Sequence, residues 1–418
     1  MRKIVLLVSL LAVCCRPAPG EQAGNAPDRV ILGLTPDPAR SMAVNWRMPA
    51  DVAESFGQLV PAQGSASSGL RTVKAKRKKG PATDVHACFE VVLTGLKPST
   101  RYRYRVGREG SWSAWSDFTT ASEQSGAFSF IYLGDVQNGI LVEFPPVIRA
   151  ARKWGPEARF VLYAGDLVNR GERDEEWAEW FQAVGWLHRT IPAVPVVGNH
   201  EYTYDPATQH YAATTRWGAN FALPRNGPKG LKDTVAFMDY QGVRIVVLDS
   251  NCVDSEQTAW LTCILSGNPN RWTIVSMHHP VYPGFTGRDD GRLRRAWQPL
   301  FDRYNVDLVL QGHDHMYART GPMRYDPAAE TGDAEPRPVS SGPVYVISVA
   351  GSKMYPAEPL PYMRHMVEDL QTFQIVTVKG VLLTYESRTV EGRLQDSFTL
   401  HKPGQGRARL VERKPDSP

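Results

Sequence analysis

The chain has 418 residues, of which 42% are hydrophobic and 22% are charged, and this ordinary globular composition excludes a disordered or collagen-like protein. Its length suits two or three domains. The formal net charge of +5 tolerates anionic substrates, but no base-reading motif accompanies it, so we predict no nucleic-acid partner.

The N-terminus has the pattern of an export signal. Arg2 and Lys3 precede an apolar run at residues 4–13, and small residues follow around positions 18–20. A transmembrane helix needs about 20 apolar residues, so this run is too short to be one. We therefore predict a signal peptide over residues 1–20, export to the periplasm or the extracellular space, and no stable membrane insertion.

The cysteines allow two further predictions. Lipid attachment at Cys14 is the less favoured alternative to a cleaved signal, because the bulky Val13 precedes it. Cys88, Cys252 and Cys263 remain after the signal, and in an oxidising compartment two of them can pair. Cys252 and Cys263 are closest in sequence and are predicted to form a disulfide, and three buried thiols are the alternative.

Residues 28–120 have the pattern of an all-β domain. Apolar and polar residues alternate at 30–34, 41–46 and 102–106, which indicates half-buried antiparallel strands. The segment LTGLKPST at 93–100, with the strand after it, resembles fibronectin type III domains and implies a β-sandwich of that type. The basic run at 71–79 is interpreted as a solvated edge or loop rather than a nucleic-acid site.

A small, polar linker at residues 121–127 precedes a second domain, predicted over residues 128–400. Helical patterns at 174–184 and 292–304 alternate with apolar strands, which indicates a layered α/β fold. The strands are predicted at 128–133, 160–163, 194–197, 243–248, 272–277, 306–310, 344–349 and 373–388. Residues 401–418 are predicted to be a basic, flexible tail. Two long loops, 202–231 and 316–342, are expected to shape a substrate pocket.

Five polar motifs each follow a predicted strand. They are Gly134-Asp135-Val136-Gln137, Gly165-Asp166-Leu167-Val168-Asn169-Arg170-Gly171, Gly198-Asn199-His200-Glu201, His278-His279-Pro280 and Gly312-His313-Asp314-His315. Strand ends meet at one edge of an α/β sheet, where ligand sites form. Carboxylate, amide and imidazole groups together are a ligand set for divalent first-row metals. A single motif of this kind is weak evidence, but five in this order are a strong indication of a metal site.

This combination resembles the calcineurin-like metallophosphoesterase superfamily, and the preceding β domain resembles that of purple acid phosphatases. The resemblance covers residues 28 to 390 and implies a four-layer α/β/β/α sandwich that binds two divalent ions, Fe, Zn or Mn. By motif, it implies a ligand role for six residues: Asp135, Asp166 (bridging both ions), Asn199, His278, His313 and His315. His278 is preferred over His279 because it is the first His after the strand.

The resemblance also implies the catalytic residues and the reaction. His200 is expected to contact the phosphoryl group and to protonate the leaving oxygen, and Arg170 to bind phosphate, a role that suits its planar and permanently charged guanidinium group. The two ions and the bridging Asp166 are expected to turn a water into the attacking hydroxide. The implied function is a secreted phosphomonoesterase acting on a phosphate ester, and a phosphodiesterase or a non-catalytic surface-binding protein stays open.

Two positions depart from the family pattern. Purple enzymes have a tyrosine three residues after the bridging carboxylate, where this chain has Asn169, so we predict a colourless protein. Many relatives have a histidine two residues after the first aspartate, where this chain has Gln137. Because an amide is a poorer ligand than an imidazole, the first ion is expected to be held loosely or to take water instead.

Overall fold

The computed structural model describes residues 26–63, 69–81, 84–205, 208–404 and 406–412. The predicted signal peptide, with Cys14, lies outside the described residues, as does the predicted tail beyond residue 412. Across the described ranges, every helix is too short or too polar to reach through a lipid bilayer.

The first nine strands form a β-sandwich. They are β1 (Asp28–Gly33), β2 (Met42–Pro49), β3 (Phe56–Pro61), β4 (Arg71–Lys74), β5 (Lys76–Arg77), β6 (His86–Leu93), β7 (Arg101–Arg108), β8 (Ser111–Trp112) and β9 (Ser116–Thr119). One layer has the order β1-β2-β6-β5 and the other β4-β3-β7-β8, with β9 beside β7. Along β7, Tyr102, Tyr104 and Val106 enter the sandwich core while Arg101 and Arg103 are exposed. The predicted β-sandwich is confirmed.

The rest of the chain alternates strands and helices. The helices are α1 (Ile140–Trp154), α2 (Asp174–Val184), α3 (Thr215–Asn220), α4 (Ser255–Ser266), α5 (Gly291–Arg303) and α6 (Pro327–Thr331). The strands are β10 (Phe128–Leu133), β11 (Ala158–Tyr163), β12 (Ala193–Pro195), β13 (Tyr202–Asp205), β14 (His210–Ala213), β15 (Ala236–Tyr240), β16 (Val243–Val247), β17 (Trp272–Ser276), β18 (Leu308–Gln311), β19 (Tyr317–Pro322), β20 (Val344–Ile347), β21 (Met363–Val367), β22 (Thr372–Lys379), β23 (Leu382–Thr389), β24 (Leu394–His401) and β25 (Arg409–Glu412).

Two sheets pack face to face between two layers of helices. The larger sheet has the order β25-β24-β23-β22-β10-β11-β12-β1-β2-β6-β5, and the smaller has the order β15-β16-β17-β18-β20-β19-β21. Phe130 of the larger sheet and Ile274 of the smaller one share the core between them. Phe144 of α1 packs on the outer face of the larger sheet, and Leu261 of α4 and Phe301 of α5 pack on the smaller. The predicted α/β/β/α sandwich is confirmed.

The β-sandwich is joined to the second domain by main-chain and side-chain contacts. Strand β1 pairs in parallel with β12, with Gly33 opposite Ala193, so the larger sheet runs through both domains. Arg29 and Arg47 both form ion pairs with Asp174, at the start of α2, at 2.7 and 2.9 Å. The position of the sandwich relative to the strand ends of the second domain is therefore fixed by these contacts.

The predicted disulfide is wrong. Cys252 and Cys263 are free thiols, as is Cys88. Asp254 caps helix α4, which begins at Ser255, so Cys263 lies eight residues along the helix. Cys252 Sγ instead lies 3.2 Å from Oδ2 of Asp254, the residue that caps this helix. Of these three thiols only Cys88 is buried, so the alternative of three buried thiols is wrong as well.

The predicted flexible tail is wrong over its described part. His401 ends strand β24, and Arg409–Glu412 forms β25, which pairs antiparallel with β24 at the edge of the larger sheet. Arg319 holds this strand by an ion pair with Glu412 at 2.9 Å. The segment was assigned to the tail because it is basic and contains proline, but its residues pair with a sheet edge that the sequence does not reveal.

Candidate metal centre

The predicted ligands lie at the carboxyl ends of parallel strands. Asp135, Asp166 and Asn199 follow β10, β11 and β12, which are parallel neighbours in the larger sheet. His278 and His313 follow β17 and β18, which are parallel neighbours in the smaller sheet. Because the two sheets pack face to face, their strand ends bring both sets of side chains to one place.

Four of these residues form a compact cluster, which we call the second-metal group: Asp166, Asn199, His278 and His313. Asn199 Oδ1 lies 3.0 Å from His278 Nε2 and 2.9 Å from His313 Nδ1. His278 Nε2 also lies 3.1 Å from Asp166 Oδ2. Asp166, His278 and His313 offer ligand atoms that all lie within 4.8 Å of one another.

The hydrogen bonds of His278 show that lone pairs converge in this group. Its Nδ1 lies 2.8 Å from the main-chain oxygen of Ala164, so Nδ1 carries a hydrogen and Nε2 faces Asp166 and Asn199, where either a proton or a metal ion can occupy it. Converging lone pairs are stable only around a proton or a metal ion. Burial disfavours the charged ring, yet contact with the Asp166 carboxylate raises the pKa of His278 to about 10. Burial likewise opposes ionisation of Asp166, but His278 lowers its pKa to about 2.

Asp135 and His315 form a separate cluster. We call it the first-metal group, after the ion that the resemblance assigns to these two residues. His315 Nδ1 lies 2.8 Å from the Lys353 carbonyl, and its Nε2 lies 3.5 Å from Asp135 Oδ1. That carboxylate oxygen is buried and has no hydrogen-bond partner among the described residues. Gln137 Nε2 lies 3.1 Å from both Asp166 Oδ2 and His315 Nε2, so its amide is inserted between the two groups.

The backbone at the ligands is strained. Asp135, Asp166 and His313 have φ angles of 33°, 51° and 71°, a left-handed region that costs a non-glycine residue about 1–2 kcal/mol. Of the glycines that precede these ligands in the motifs, Gly165 also has a positive φ, of 95°. Gly198 is required for a different reason, because a Cβ there would overlap the Asp166 carboxylate.

His200 lies at the edge of the second-metal group. Its main-chain N–H donates to Asp166 Oδ1 at 3.0 Å, and its ring Nδ1 lies 2.7 Å from the Asn169 carbonyl. The other ring nitrogen, Nε2, lies 3.9 Å from Asp166 Oδ2 and the side chain is partly exposed. The structure therefore brings His200 together with the predicted ligands.

Arg170 is placed differently from the other predicted residues. Its Nε donates to Glu176 of α2 at 3.0 Å, and its side chain is half exposed. None of the described ligand residues hydrogen-bonds to it. The structure brings six predicted ligands and His200 together and leaves Arg170 in an ion pair beside them.

Glu201 belongs to the third motif, and the structure gives it a role that the sequence did not predict. Its buried carboxylate accepts main-chain N–H groups of Asp166, Leu167 and Gly198 at 3.0, 2.7 and 2.8 Å. Burial and then the Asp166 charge raise the pKa of Glu201 to about 8. Glu201 thus ties the loop after β11 to the loop after β12. The available sequence signal for this role was the position of Glu201, a carboxylate two residues after the predicted ligand Asn199.

Arg288 was missed because it lies outside the five motifs. Its Nη2 contacts His313 Nε2, and its Nε lies 3.0 Å from Asp314 Oδ1. The guanidinium also lies 5.2 Å from the centre of the Tyr355 ring. These contacts fix a permanent positive charge against the second-metal group, and no pattern in the sequence distinguishes this arginine from the others.

A cleft of 1060 Å³ opens onto the site, and Asn199 and His279 are among its lining residues. The predicted pocket loop 202–231 borders it through the hairpin of β13 and β14 and through helix α3. The other predicted pocket loop, 316–342, contributes no lining residue, because its first part is strand β19 within the smaller sheet.

Comparison with known families places two domains on this chain. Residues 27–120 match the purple acid phosphatase N-terminal domain, and residues 128–317 match the calcineurin-like phosphoesterase family. An uncharacterized protein of Mycobacterium tuberculosis is 27% identical over 74% of this chain, which spans 65% of that relative's length. Purple acid phosphatase 1 of Ipomoea batatas is 25% identical over 77% of this chain and 71% of its own.

Solved structures share the fold. A purple acid phosphatase from yellow lupin seeds superposes with a TM-score of 0.75 at 19% identity, over 90% of this chain and 74% of its own. The structure of PhoD superposes with a TM-score of 0.66 at 13% identity, over 95% and 94%. Residues 128–317 are thus a calcineurin-like phosphoesterase domain, and the N-terminal domain of purple acid phosphatases precedes it at residues 27–120.

Proposed function

We propose that this protein is a metal-dependent phosphomonoesterase. The observation that carries the proposal is the convergence of Asp166, Asn199, His278 and His313 at the strand ends of two sheets, with donor atoms 2.9–3.1 Å apart. Burying these polar groups with their donor atoms turned toward one another costs desolvation free energy, and a metal ion held by all four would offset that cost.

The residues fit two divalent ions. The second-metal group would hold one, and Asp135 and His315 would hold the other, with Asp166 between them. The unpartnered Asp135 Oδ1 and the inward lone pair of His315 supply donors for that first ion. When bound, such ions supply positive charge that lowers the pKa of a water and offsets charge on phosphoryl oxygens. Asn169 stands where purple enzymes have tyrosine, so Zn, Mn or Fe(II) suits this site better than a purple Fe(III) centre.

His200 is suited to deliver a proton to the leaving oxygen. The Asn169 carbonyl takes the hydrogen of Nδ1 and so orients the ring, which leaves Nε2 on the side of Asp166. In its protonated form, Nε2 can donate to an ester oxygen bound at the second-metal group. General acids positioned in this way contribute about 10²- to 10⁴-fold to the rate.

Two arginines are candidates for binding the phosphoryl oxygens. Arg170 has this role by its position in the second motif, and it would have to leave Glu176 to fulfil it. Arg288 already lies against His313. Replacing each arginine by glutamine distinguishes the two candidates. Replacement of the arginine that binds the phosphoryl group will raise both the KM for a phosphate ester and the Ki for inorganic phosphate.

The decisive experiment measures metal content and activity on the same sample. We expect protein loaded with Mn, Zn or Fe to hydrolyse nitrophenyl phosphate faster than bis-nitrophenyl phosphate, and Asp166→Ala and Asn199→Ala to lose both metal and activity. A reversed preference would establish a phosphodiesterase. A protein that folds, binds no metal and hydrolyses neither ester would be the non-catalytic binding protein.

We also propose that the protein is exported, on the strength of residues 1–20 alone. Expression of the full chain with fractionation, followed by N-terminal sequencing of the mature protein, tests this. A new N-terminus near position 20 in the exported fraction supports cleavage, and full-length protein confined to the cytoplasm rules it out.

A further inference from the structure

Part of the basic run at 71–79, interpreted above as a solvated edge or loop, forms a wall of the cleft. Residues 76–79, Lys-Arg-Lys-Lys, comprise β5 and the two residues after it, and all four line the same cleft as Asn199 and His279. The β-sandwich therefore contributes a positively charged surface to the cavity that opens onto the metal centre.

Other cations of the cleft are neutralised. Arg225 forms an ion pair with Asp233 at 3.2 Å, and Arg292 forms one with Asp290 at 2.7 Å. All four of these residues line the cleft, so their charges cancel within it. Excess positive charge is left on the wall formed by residues 76–79.

Two of the four wall residues have structural roles. Lys78 is buried, with Nζ 2.9 Å from Glu90 Oε2 and 2.6 Å from the main-chain oxygen of Phe221 in the second domain. Arg77 donates to the main-chain oxygen of Ala50 at 3.1 Å. These bonds hold the wall in place across the boundary between the domains.

Lys76 and Lys79 are exposed, and neither forms an ion pair with any described residue. Two uncompensated ammonium groups therefore face a cavity whose other lining includes a candidate metal ligand. In a cleft with protein walls, such charges raise the local concentration of anions. An ammonium group binds phosphate as a point charge and needs no fixed geometry.

We propose that this cleft binds phosphate esters that carry at least one further phosphate, with the reacting phosphate at the metal centre and the second one at Lys76 and Lys79. The proposal rests on the proposed function for the position of the reacting group. The second phosphate is selected by the β-sandwich, so the two domains share the recognition of one substrate.

The binding experiment uses the metal-free full chain and two sugars that differ by one phosphate, fructose 6-phosphate and fructose 1,6-bisphosphate. We expect calorimetry to show about tenfold tighter binding of the bisphosphate, as two exposed ion pairs can supply. The Lys76→Gln/Lys79→Gln variant should lose this preference. The matched Lys74→Gln/Lys97→Gln variant removes the same charge from the same domain outside the cleft and should keep it. Equal affinity for both sugars, or equal loss in both variants, overturns the proposal.

The kinetic experiment uses the metal-loaded chain. It measures the ratio of kcat/KM for fructose 1,6-bisphosphate to kcat/KM for fructose 6-phosphate. This ratio should fall about tenfold in Lys76→Gln/Lys79→Gln, and in the native chain it should fall as salt rises, because the Debye length shortens to about 8 Å at 0.15 M. If nitrophenyl phosphate is hydrolysed but the ratio is indifferent to these lysines, this proposal fails and the proposed function stands. If nothing is hydrolysed but binding still prefers the bisphosphate through Lys76 and Lys79, the proposed function fails and the binding site stands.

Discussion

Gln137 is the residue at which this site differs most from the ligand pattern of the family that it resembles. Its amide nitrogen lies 3.1 Å from Asp166 Oδ2 and from His315 Nε2, which are acceptor atoms that would otherwise face a cation. An uncharged amide group satisfies those acceptors partly, and its oxygen would be only a weak ligand for the first ion. In the proposed two-ion centre, the first ion would therefore be held more weakly than the second.

Replacing Gln137 by histidine should therefore tighten the first ion. We expect the native protein to retain fewer than two ions per chain after dialysis, and Gln137→His to retain about one more, because imidazole is the better ligand for Zn or Mn. Elemental analysis of both proteins measures this, and Gln137→Asn, which keeps the amide, is the control. Identical metal content in all three proteins would contradict the unequal-strength interpretation.

His200 should matter most for esters with poor leaving groups. If its Nε2 protonates the leaving oxygen, His200→Asn lowers kcat about 10²- to 10⁴-fold on an alkyl phosphate and much less on nitrophenyl phosphate, whose leaving oxygen needs no proton. Steady-state kinetics on both esters measures the difference. An equal loss on the two esters would assign His200 to phosphate binding instead.

The clustering of the predicted ligand residues could be foreseen because each belongs to a short motif after a strand, and strand ends share a sheet edge. Glu201 and Arg288 were not, since their roles depend on contacts that no local pattern encodes. Glu201 accepts N–H groups from the loop after β11, which lies more than 30 residues earlier. Arg288 meets His313 across a turn whose course the sequence leaves open.

At the scale of elements, helix α2 was predicted at its observed bounds, 174–184, because its signals are local. Three acidic residues occupy its first turn, where they favour the helix dipole, and Trp177, Trp180 and Val184 recur on one buried face. Strand β5, with two residues, has no comparable signal. The sequence therefore indicates only a solvated edge or loop there, and the structure makes it an exposed edge strand that pairs with β6.

The contact between α2 and the turn after it predicts a loss of stability in acid. His188 is buried, stacks on Trp180, and hydrogen-bonds to Tyr163 Oη and to the Ile191 carbonyl at 2.7 and 3.0 Å. Burial lowers the pKa of His188 from 6.5 to about 4. The unfolded chain thus binds a proton between these values while the folded chain does not. Stability present above pH 6.5 is lost as the pH falls toward 4, by up to about 3 kcal/mol.

Urea unfolding at pH 7 and at pH 4.5 measures this effect. The native protein should lose more free energy of unfolding between the two conditions than His188→Asn, whose amide does not titrate. Other titrating groups contribute equally to both proteins, so the difference isolates His188. Parallel losses in the two proteins would show that this histidine does not sense the pH.

At the scale of the whole molecule, the layers and the order of the domains were predictable, because alternation of apolar residues changes from strand periodicity to mixed strands and helices near residue 120. The joint between the domains was not. It depends on Gly33 meeting Ala193, which are 160 residues apart, and on Arg29 and Arg47 sharing Asp174. Contacts of that range leave no local pattern.

This joint predicts that both domains unfold together. Calorimetry of the full chain should show one transition, and Asp174→Ala should move the whole transition to lower temperature, since it removes the carboxylate shared by Arg29, Arg47 and Arg216. Asp117→Ala, which removes an exposed ion pair within the sandwich, should shift it little. Two separate transitions in the native chain would show that the joint does not couple the domains.

Because residues 76–79 belong to the β-sandwich, substitutions that affect substrate selection and substitutions that affect catalysis fall in different domains. The residues proposed to act on the ester all lie after residue 127, whereas Lys76 and Lys79 are encoded before the linker. Substitutions in β5 and the two residues after it can therefore alter the selection of substrates without altering the residues proposed to hydrolyse them. A sandwich with acidic or apolar side chains at those positions would give the same reaction centre a different substrate specificity.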